Sequence, residues 1–448
     1  EKSEKRETHI NSITDAIELQ KKLTEIDDSL NALEISLANK KKIKYTKNEI
    51  YEMLDKNMYI KEKMKLLYIL GSYFPAQSGG PNNTIHWQAK SLCKKNFNVT
   101  VASLKSGLTK ENIDEHNIIL NDQNDIEGVK AYYFNYRGNR FFSLQFYLWM
   151  VINIKKFDFI QLTSYFFPIT WFAALLCNIY SIPFSVAPRG ELEDNALKYN
   201  KKFKKIIHKY FLKKLYKKSS FILVTSSQEL GFSRKYFPST MKFELIPNYI
   251  DLNTNKQVSE GLIKNKKDIL YLGRIHPKKG IENLIKAYMI LGEHITKSNS
   301  LLIAGSGNTE YEKKLKLLAF NDKKYKNKIF FLGHMQGKEK EKIYRNSKVF
   351  VLPSYSENFG NVVLESLSFS TPVISSKFTP WRELEDAQCG FLSGNNPDEL
   401  KNKIEYIFKM NSKEYIKYCN NAYKFVHDKY DVDKNISYLA SIYRMCKL

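Results

Sequence analysis

Two carboxylates raise the first chemical question. From Pro353 to Leu367 the chain reads Pro-Ser-Tyr-Ser-Glu-Asn-Phe-Gly-Asn-Val-Val-Leu-Glu-Ser-Leu, with seven residues between Glu357 and Glu365. An apolar run, Lys348 to Leu352, precedes this segment, and a helical pattern follows it. A strand-to-helix turn of this kind exposes backbone N–H groups at a helix N-terminus, a cradle for an anion or for hydroxyls. The separation would be roughly two turns of continuous helix. Because part of it is turn, Glu357 is placed on the loop and Glu365 on the helix. Two carboxylates repel a bare phosphate, so they suit a ligand that brings hydroxyls beside its phosphates.

Cations occur in a second turn of the same type. Leu272-Gly273-Arg274-Ile275-His276-Pro277-Lys278-Lys279-Gly280 follows an apolar strand directly. Arg274 and Lys279 at the mouth of a helix can neutralise a diphosphate; a solvated basic turn is the plainer alternative. Gly305 and Gly307, in Ala304-Gly305-Ser306-Gly307, end the next strand and permit close backbone approach. Gly79 and Gly80 hold the matching place in the N-terminal half, before a helix expected near Pro81. His276 and His334 lie near these turns, but nothing pairs them as metal ligands. No Ser-His-Asp or Cys-His arrangement stands out.

The positioning elements divide the 448 residues into four parts. Residues 1–61 contain no Gly or Pro, and Leu19, Leu23, Ile26, Leu30, Leu33 and Leu37 repeat at coiled-coil spacing. This predicts a helical extension that either self-associates, the favoured reading, or packs on the body. Residues 62–250 alternate strands (66–70, 98–104, 129–136, 157–163, 183–186, 221–225) with helical patterns. Polar residues 253–267 read as a linker within 251–425, whose strands are expected at 269–272, 301–304, 329–332, 349–352 and 372–375. A helical tail, 426–448, closes the chain. The alternation predicts an α/β protein: two Rossmann-like, doubly wound domains facing a cleft.

Composition narrows the partners. The net charge is +24, mainly from lysine, which favours an anionic partner. No zinc finger, RNP-type strand or Arg-rich arm accompanies it, so nucleic acid is not expected. The five scattered cysteines form no Cys-x-x-Cys pair, as in a reducing cytoplasm. No signal-peptide pattern opens the sequence, which begins at Glu1 and leaves room for earlier residues. The longest apolar stretch, 166–179, falls short of the roughly 20 residues needed to span a bilayer and reads as a buried helix. Lys198 to Lys218 carries ten lysines and no acid, with Phe203, Ile206, Ile207, Tyr210 and Phe211 on one helical face. Such a segment suits an anionic membrane surface; packing of the stripe on the sheet is the alternative.

Taken together, the Gly79-Gly80 loop, Gly273-Arg274 with Lys279-Gly280, Gly305/Gly307, Gly333, the Glu357/Glu365 pair with Phe359-Gly360, and Thr371-Pro372-Val373 resemble the family-4 retaining glycosyltransferases of GT-B fold. The resemblance covers about 64–448. It implies a nucleotide-sugar donor, UDP- or GDP-linked, with no cofactor and no metal. Arg274, Lys279 and Glu357 would be the catalytic groups, the two cations on the diphosphate and Glu357 on the transferred sugar. Backbone N–H groups of Phe359, Gly360 and Asn361 would assist Glu357. Glu365 would take the ribose, and the loop from Gly333 would flank the base. Gly79, Gly80, Gly305 and Asn358 complete the implied donor site. Where many relatives carry a His, this chain has Gln161-Leu162-Thr163-Ser164, so Thr163 or Ser164 is expected on the acceptor side. Asn358 stands where relatives often carry a small residue. Arg189-Gly190 resembles a stretch in bacterial surface-polysaccharide transferases and puts Arg189 on the acceptor side, with a structural ion pair as the alternative. The expected activity is transfer to a growing capsule, O-antigen or exopolysaccharide, possibly on a lipid-linked acceptor. The expected location is cytoplasmic, peripheral at the inner face of the membrane. A non-catalytic nucleotide-sugar-binding scaffold and a GT-B epimerase are the rival readings.

Overall fold

The computed structural model describes residues 63–76, 80–138, 142–197, 201–252 and 259–447. The extension 1–61, with its coiled-coil reading, and Gly79 lie outside the described residues.

Two sheets organise the chain. The first contains β1 (Met64–Leu70), β2 (Phe97–Leu104), β3 (Gln123–Ile126), β4 (Val129–Phe134), β5 (Phe159–Thr163), β6 (Phe184–Ala187), β7 (Phe221–Val224) and β8 (Phe243–Leu245). Its order is β3-β4-β2-β1-β5-β6-β7-β8, parallel except for the β3–β4 hairpin. The second contains β9 (Lys267–Leu272), β10 (Leu301–Ala304), β11 (Ile329–Gly333), β12 (Ser347–Leu352), β13 (Val373–Ser376) and β14 (Gly390–Ser393), in the order β11-β10-β9-β12-β13-β14. Central strands such as β1 and β12 are almost continuously apolar because helices cover both faces of each sheet. The strand order reverses between β1 and β5 in one sheet and between β9 and β12 in the other. Crevices beyond the carboxyl ends of strands at such reversals are where doubly wound sheets bind ligands.

Helices on one face of the first sheet bury Phe146, Met150, Ile169, Ala173, Leu212 and Tyr216. The opposite face holds helix Gly80–Lys94 and the last helix, Val432–Met445. That last helix therefore returns to the first sheet. Tyr443 Oη donates to Gln161 Oε1 at 3.1 Å and Ser185 Oγ donates to the same atom at 2.6 Å, so a satisfied polar cluster ties the return inside the core.

Several expectations are corrected. The 166–179 stretch does form a helix, Pro168–Tyr180, but Leu175 and Ile179 are exposed, so it is only half-buried. Of the apolar stripe of 198–218, Ile207 packs on the first core, whereas Phe203, Ile206, Tyr210 and Phe211 are exposed. The region read as linker contains a helical turn, Glu260–Lys264, and gives its end to β9. Strands β3, β8 and β14 lie at or beside sheet edges, where their short polar-containing sequences gave no strand signal.

Lys266 shows how buried charge is managed in the second core. Its ammonium reaches Arg345 O at 2.6 Å, Thr371 Oγ1 at 2.7 Å, Phe369 O at 3.2 Å and Tyr344 O at 3.3 Å. Those carbonyls end helices Gly337–Asn346 and Asn361–Ser368, where a cation offsets the helix dipole. Burial pushes its pKa down to about 7. The unfolded chain therefore holds more protons between about 7 and the ordinary 10.5, and stability rises with pH through that window. Lys266→Met should remove this rise and cost about 2 kcal/mol at neutral pH, because Arg345 O and Phe369 O lose the ammonium while Tyr344 O keeps the Thr371 hydroxyl at 2.7 Å. Urea unfolding at several pH values checks both effects.

Candidate functional site

The reversal in the second sheet gathers the predicted charges. The turn after β9 carries Arg274 and Lys279; the turn after β12 carries Glu357. Lys279 Nζ donates to Glu357 Oε1 at 2.5 Å, and Ser354 Oγ donates to the same oxygen at 2.6 Å. Burial raises the Glu357 pKa, but Lys279 and Ser354 outweigh it and hold the carboxyl below its ordinary value. Arg274 is exposed beside this pair in sequence, and no carboxylate among the described residues pairs with it. His276 Nδ1 accepts from Lys278 N at 3.1 Å and caps the turn, which is a local role. Gly280 has φ +65°, and a Cβ there would lie 2.1 Å from Pro353 O, so only glycine lets the two turns close.

Glu365 sits on helix Asn361–Ser368, as expected. Lys340 Nζ donates to its Oε1 at 2.7 Å and Tyr344 Oη to its Oε2 at 2.9 Å. Both partners come from helix Gly337–Asn346 and were not anticipated. Gly360, at φ +85°, opens the Asn361 helix, and Trp381 Nε1 donates to Phe359 O at 2.6 Å. The backbone N–H groups at this N-terminus are thereby fixed in direction.

Facing this helix is the start of helix Gly80–Lys94. A Cβ on Gly80 would lie 2.6 Å from Asn361 Nδ2. The Asn361 amide donates to Thr84 Oγ1 at 3.0 Å, and Asn248 Nδ2 donates to Asn361 Oδ1 at 2.7 Å. Arg189 Nη1 donates to Asn248 Oδ1 at 2.6 Å. One polar chain thus runs from the acceptor-side reading of Arg189 to the helix N-terminus of the second sheet. This amide holds Arg189 directly and the Glu229 carboxylate acts on it electrostatically, while its Nε has no hydrogen-bond partner among the described residues.

The ends of β5 and β6 complete the cleft. Thr163 Oγ1 is buried with no hydrogen-bond partner among the described residues. Ser164, at φ +104°, donates its hydroxyl to Glu191 Oε1 at 2.6 Å. Glu191 Oε2 also accepts from Tyr165 N and Phe166 N, so Ser164 is committed to shaping the loop while Thr163 is free. Burial raises the Glu191 pKa against these bonds. Asn358 Nδ2 donates to Thr225 Oγ1 at 3.1 Å, and a Cβ on Gly190 would lie 2.9 Å from Asn358 Cβ. Asn358 therefore contacts the opposite domain. Glu193 joins the domains as well, accepting from Ser356 Oγ at 2.8 Å. Gly305 and Gly307 meet backbone, not open space: Cβ atoms there would lie 1.9 Å from Gly273 O and 2.3 Å from Ile275 O. Gly333, at φ +71°, has nothing within 4 Å of its Cβ position.

Two facing doubly wound sheets, with cations and carboxylates at a strand-order reversal, define a GT-B glycosyltransferase framework. Two family models match adjoining stretches of it: Glycosyltransferase Family 4 over residues 78–254 and Glycosyl transferases group 1 over 253–425. The chain belongs to the family-4 type of GT-B glycosyltransferase. An uncharacterized glycosyltransferase of Methanocaldococcus jannaschii is 33% identical over 43% of this chain and 48% of its own length. The capsular polysaccharide biosynthesis glycosyltransferase CapM of Staphylococcus aureus is 27% identical over 34% of this chain and 37% of its own. The matched stretches span less than half of each of these two relatives. Among solved structures, Anabaena HepE in complex with UDP and glucose superposes with TM-score 0.66 at 18% identity, covering 84% of this chain and 98% of that one. At that identity the likeness concerns the fold.

Proposed function

We propose that the protein is a retaining, metal-independent glycosyltransferase that moves a sugar from a UDP- or GDP-sugar to a growing bacterial surface glycan. The observation that carries this reading is the Lys279–Glu357 pair at the β9/β12 reversal, beside the glycine-opened N-terminus of the Asn361 helix. A diphosphate at that N-terminus meets backbone N–H groups and the Lys279 ammonium, with the exposed Arg274 as second cation. Lys279 then bridges the phosphate and Glu357. Glu357 keeps its charge because Lys279 and Ser354 hold it, and so it accepts from sugar hydroxyls. Glu365, oriented by Tyr344 and Lys340, takes the ribose hydroxyls. The acceptor hydroxyl attacks the anomeric carbon on the face the diphosphate leaves. The carbon–phosphate oxygen bond breaks as the new glycosidic bond forms, and a donor phosphate oxygen takes the acceptor proton. Thr163 and Arg189 line the acceptor side.

The HepE complex contains UDP and glucose, and CapM is named for capsule biosynthesis; both support the substrate classes. In this reading the protein works at the inner face of the cell membrane, with 198–218 against anionic lipid and 1–61 as a self-association segment. A panel of UDP- and GDP-sugars tests the reading by calorimetry and by slow donor hydrolysis. One sugar nucleotide should bind and turn over with the anomer retained by NMR. Absence of binding by every donor would defeat it.

A further inference from the structure

The helix layer on one face of the first sheet has an outer side with no covering among the described residues. Helix Leu144–Asn153 buries Phe146 and Met150 inward, while Leu144, Leu148 and Ile152 form an exposed stripe at helical spacing, with Ile152 67% exposed. Helix Pro168–Tyr180 adds exposed Leu175 and Ile179, the latter 61% exposed. The 201–218 segment adds Phe203, Ile206 and Tyr210. Ring contacts join the three: Tyr147 meets Phe172 at 4.9 Å between centroids and Trp171 meets Phe211 at 6.1 Å. Asn178 Nδ2 also donates to Leu215 O at 2.9 Å. Because all three pack inward on one core, their free sides point away from the sheet together.

The charge around this face has one sign. Residues 142–156, 166–182 and 201–218 contain no Asp or Glu. Exposed Lys155 and Lys156 flank the first helix, and exposed Lys202, Lys205 and Lys209 line the last segment. A contiguous apolar surface rimmed by cations complements an anionic bilayer, whose headgroups meet the lysines while the acyl boundary receives the apolar side chains. No helix among the described residues is long and apolar enough to cross a membrane, so the face would lie on one.

We infer that the docking surface is this whole three-element face, with helices Leu144–Asn153 and Pro168–Tyr180 inserting and the 201–218 lysines supplying attraction. The inference rests on the membrane placement proposed above and extends it from a contact through 198–218, attracted mainly by its lysines, to one with two further apolar helices as its floor. The two differ in salt dependence. A lysine-only contact is lost as salt screens it; an apolar floor keeps a substantial fraction bound.

The test uses the full chain with phosphatidylglycerol-containing vesicles in a flotation assay at low salt and at molar salt. UDP-sugar binding is measured by calorimetry on the same samples. Wild type should float in both salts, and Leu148→Glu/Ile152→Glu should bind at least tenfold more weakly with unchanged donor affinity, because two aliphatic side chains no longer enter the acyl boundary. Two results would overturn the inference: flotation of that variant equal to wild type, or complete release of wild type at molar salt. Vesicle binding by a chain lacking 1–62 but not by the full chain would overturn it too, giving the face to the chain's own extension. Dissociation of a dimer by the variant without vesicle binding would give it to a second copy. Loss of donor binding in wild type would strike the catalytic reading alone.

Discussion

Lys279→Ala should lower sugar transfer by about 10²–10³-fold, the scale of losing one preorganised group on a developing charge. The loss should appear in kcat and kcat/KM together, because the leaving diphosphate is most charged in the transition state. The pair gives the variant a second signature. Lys279 and Ser354 are what hold the Glu357 pKa below 4.5 against burial. A depressed carboxyl stabilises the fold above its unfolded pKa, and that contribution fades as pH falls through the folded value. Without Lys279, burial dominates, the Glu357 pKa rises, and the variant should lose stability toward higher pH relative to wild type. Urea midpoints between pH 3 and pH 7 (roughly the carboxyl range) read this directly. Glu357→Gln should lose transfer comparably and also lower the midpoint near neutrality, since it removes the buried charge that pairs with Lys279. Wild-type turnover in Lys279→Ala would remove Lys279 from the donor site, and a flat difference in midpoint would show that the pair is not what keeps Glu357 charged.

How much of this was legible before the structure depends on which contacts are local. β9 and β12 are apolar runs with turn signals behind them, so Lys279 and Glu357 could be placed at strand ends from sequence. That they bond each other follows from the strand order, which brings two turns 78 positions apart to one reversal. The polar chain across the cleft was not legible. Asn361 bonds Asn248 and Thr84 at separations of 113 and 277 residues, and no periodicity links such positions. Tyr344 and Lys340 were missed because nothing local sets which face of their helix meets Glu365. The 166–179 stretch misled for a related reason. A helix apolar on all sides has no stripe to tell buried from exposed, and periodicity alone cannot resolve it.

Gly305 separates a ligand cradle from a packing requirement, and a pair of substitutions shows which it is. Gly305→Ala puts a Cβ 1.9 Å from Gly273 O, a backbone atom that no rotamer change can move, at φ +134°. Gly305 N also donates to Gly333 O at 2.6 Å, while Gly273 N donates to Ala304 O at 3.0 Å, so the residue is clamped between the ends of β9 and β11. Relief requires parting β9 from β10 where β9 delivers Arg274 and the turn to Lys279. We expect a loss above about 4 kcal/mol, in the range reserved for broken backbone packing, and loss of donor binding with it. Gly333→Ala meets open space, so only the left-handed backbone, φ +71°, opposes it, at about 1 kcal/mol. Thermal and urea unfolding of the two variants, with donor calorimetry on whatever remains folded, should rank them far apart. Similar modest losses in both would mean that the β9 and β10 ends yield easily. The donor turn would then owe its position to Gly280 and Pro353 rather than to the Gly305 contact.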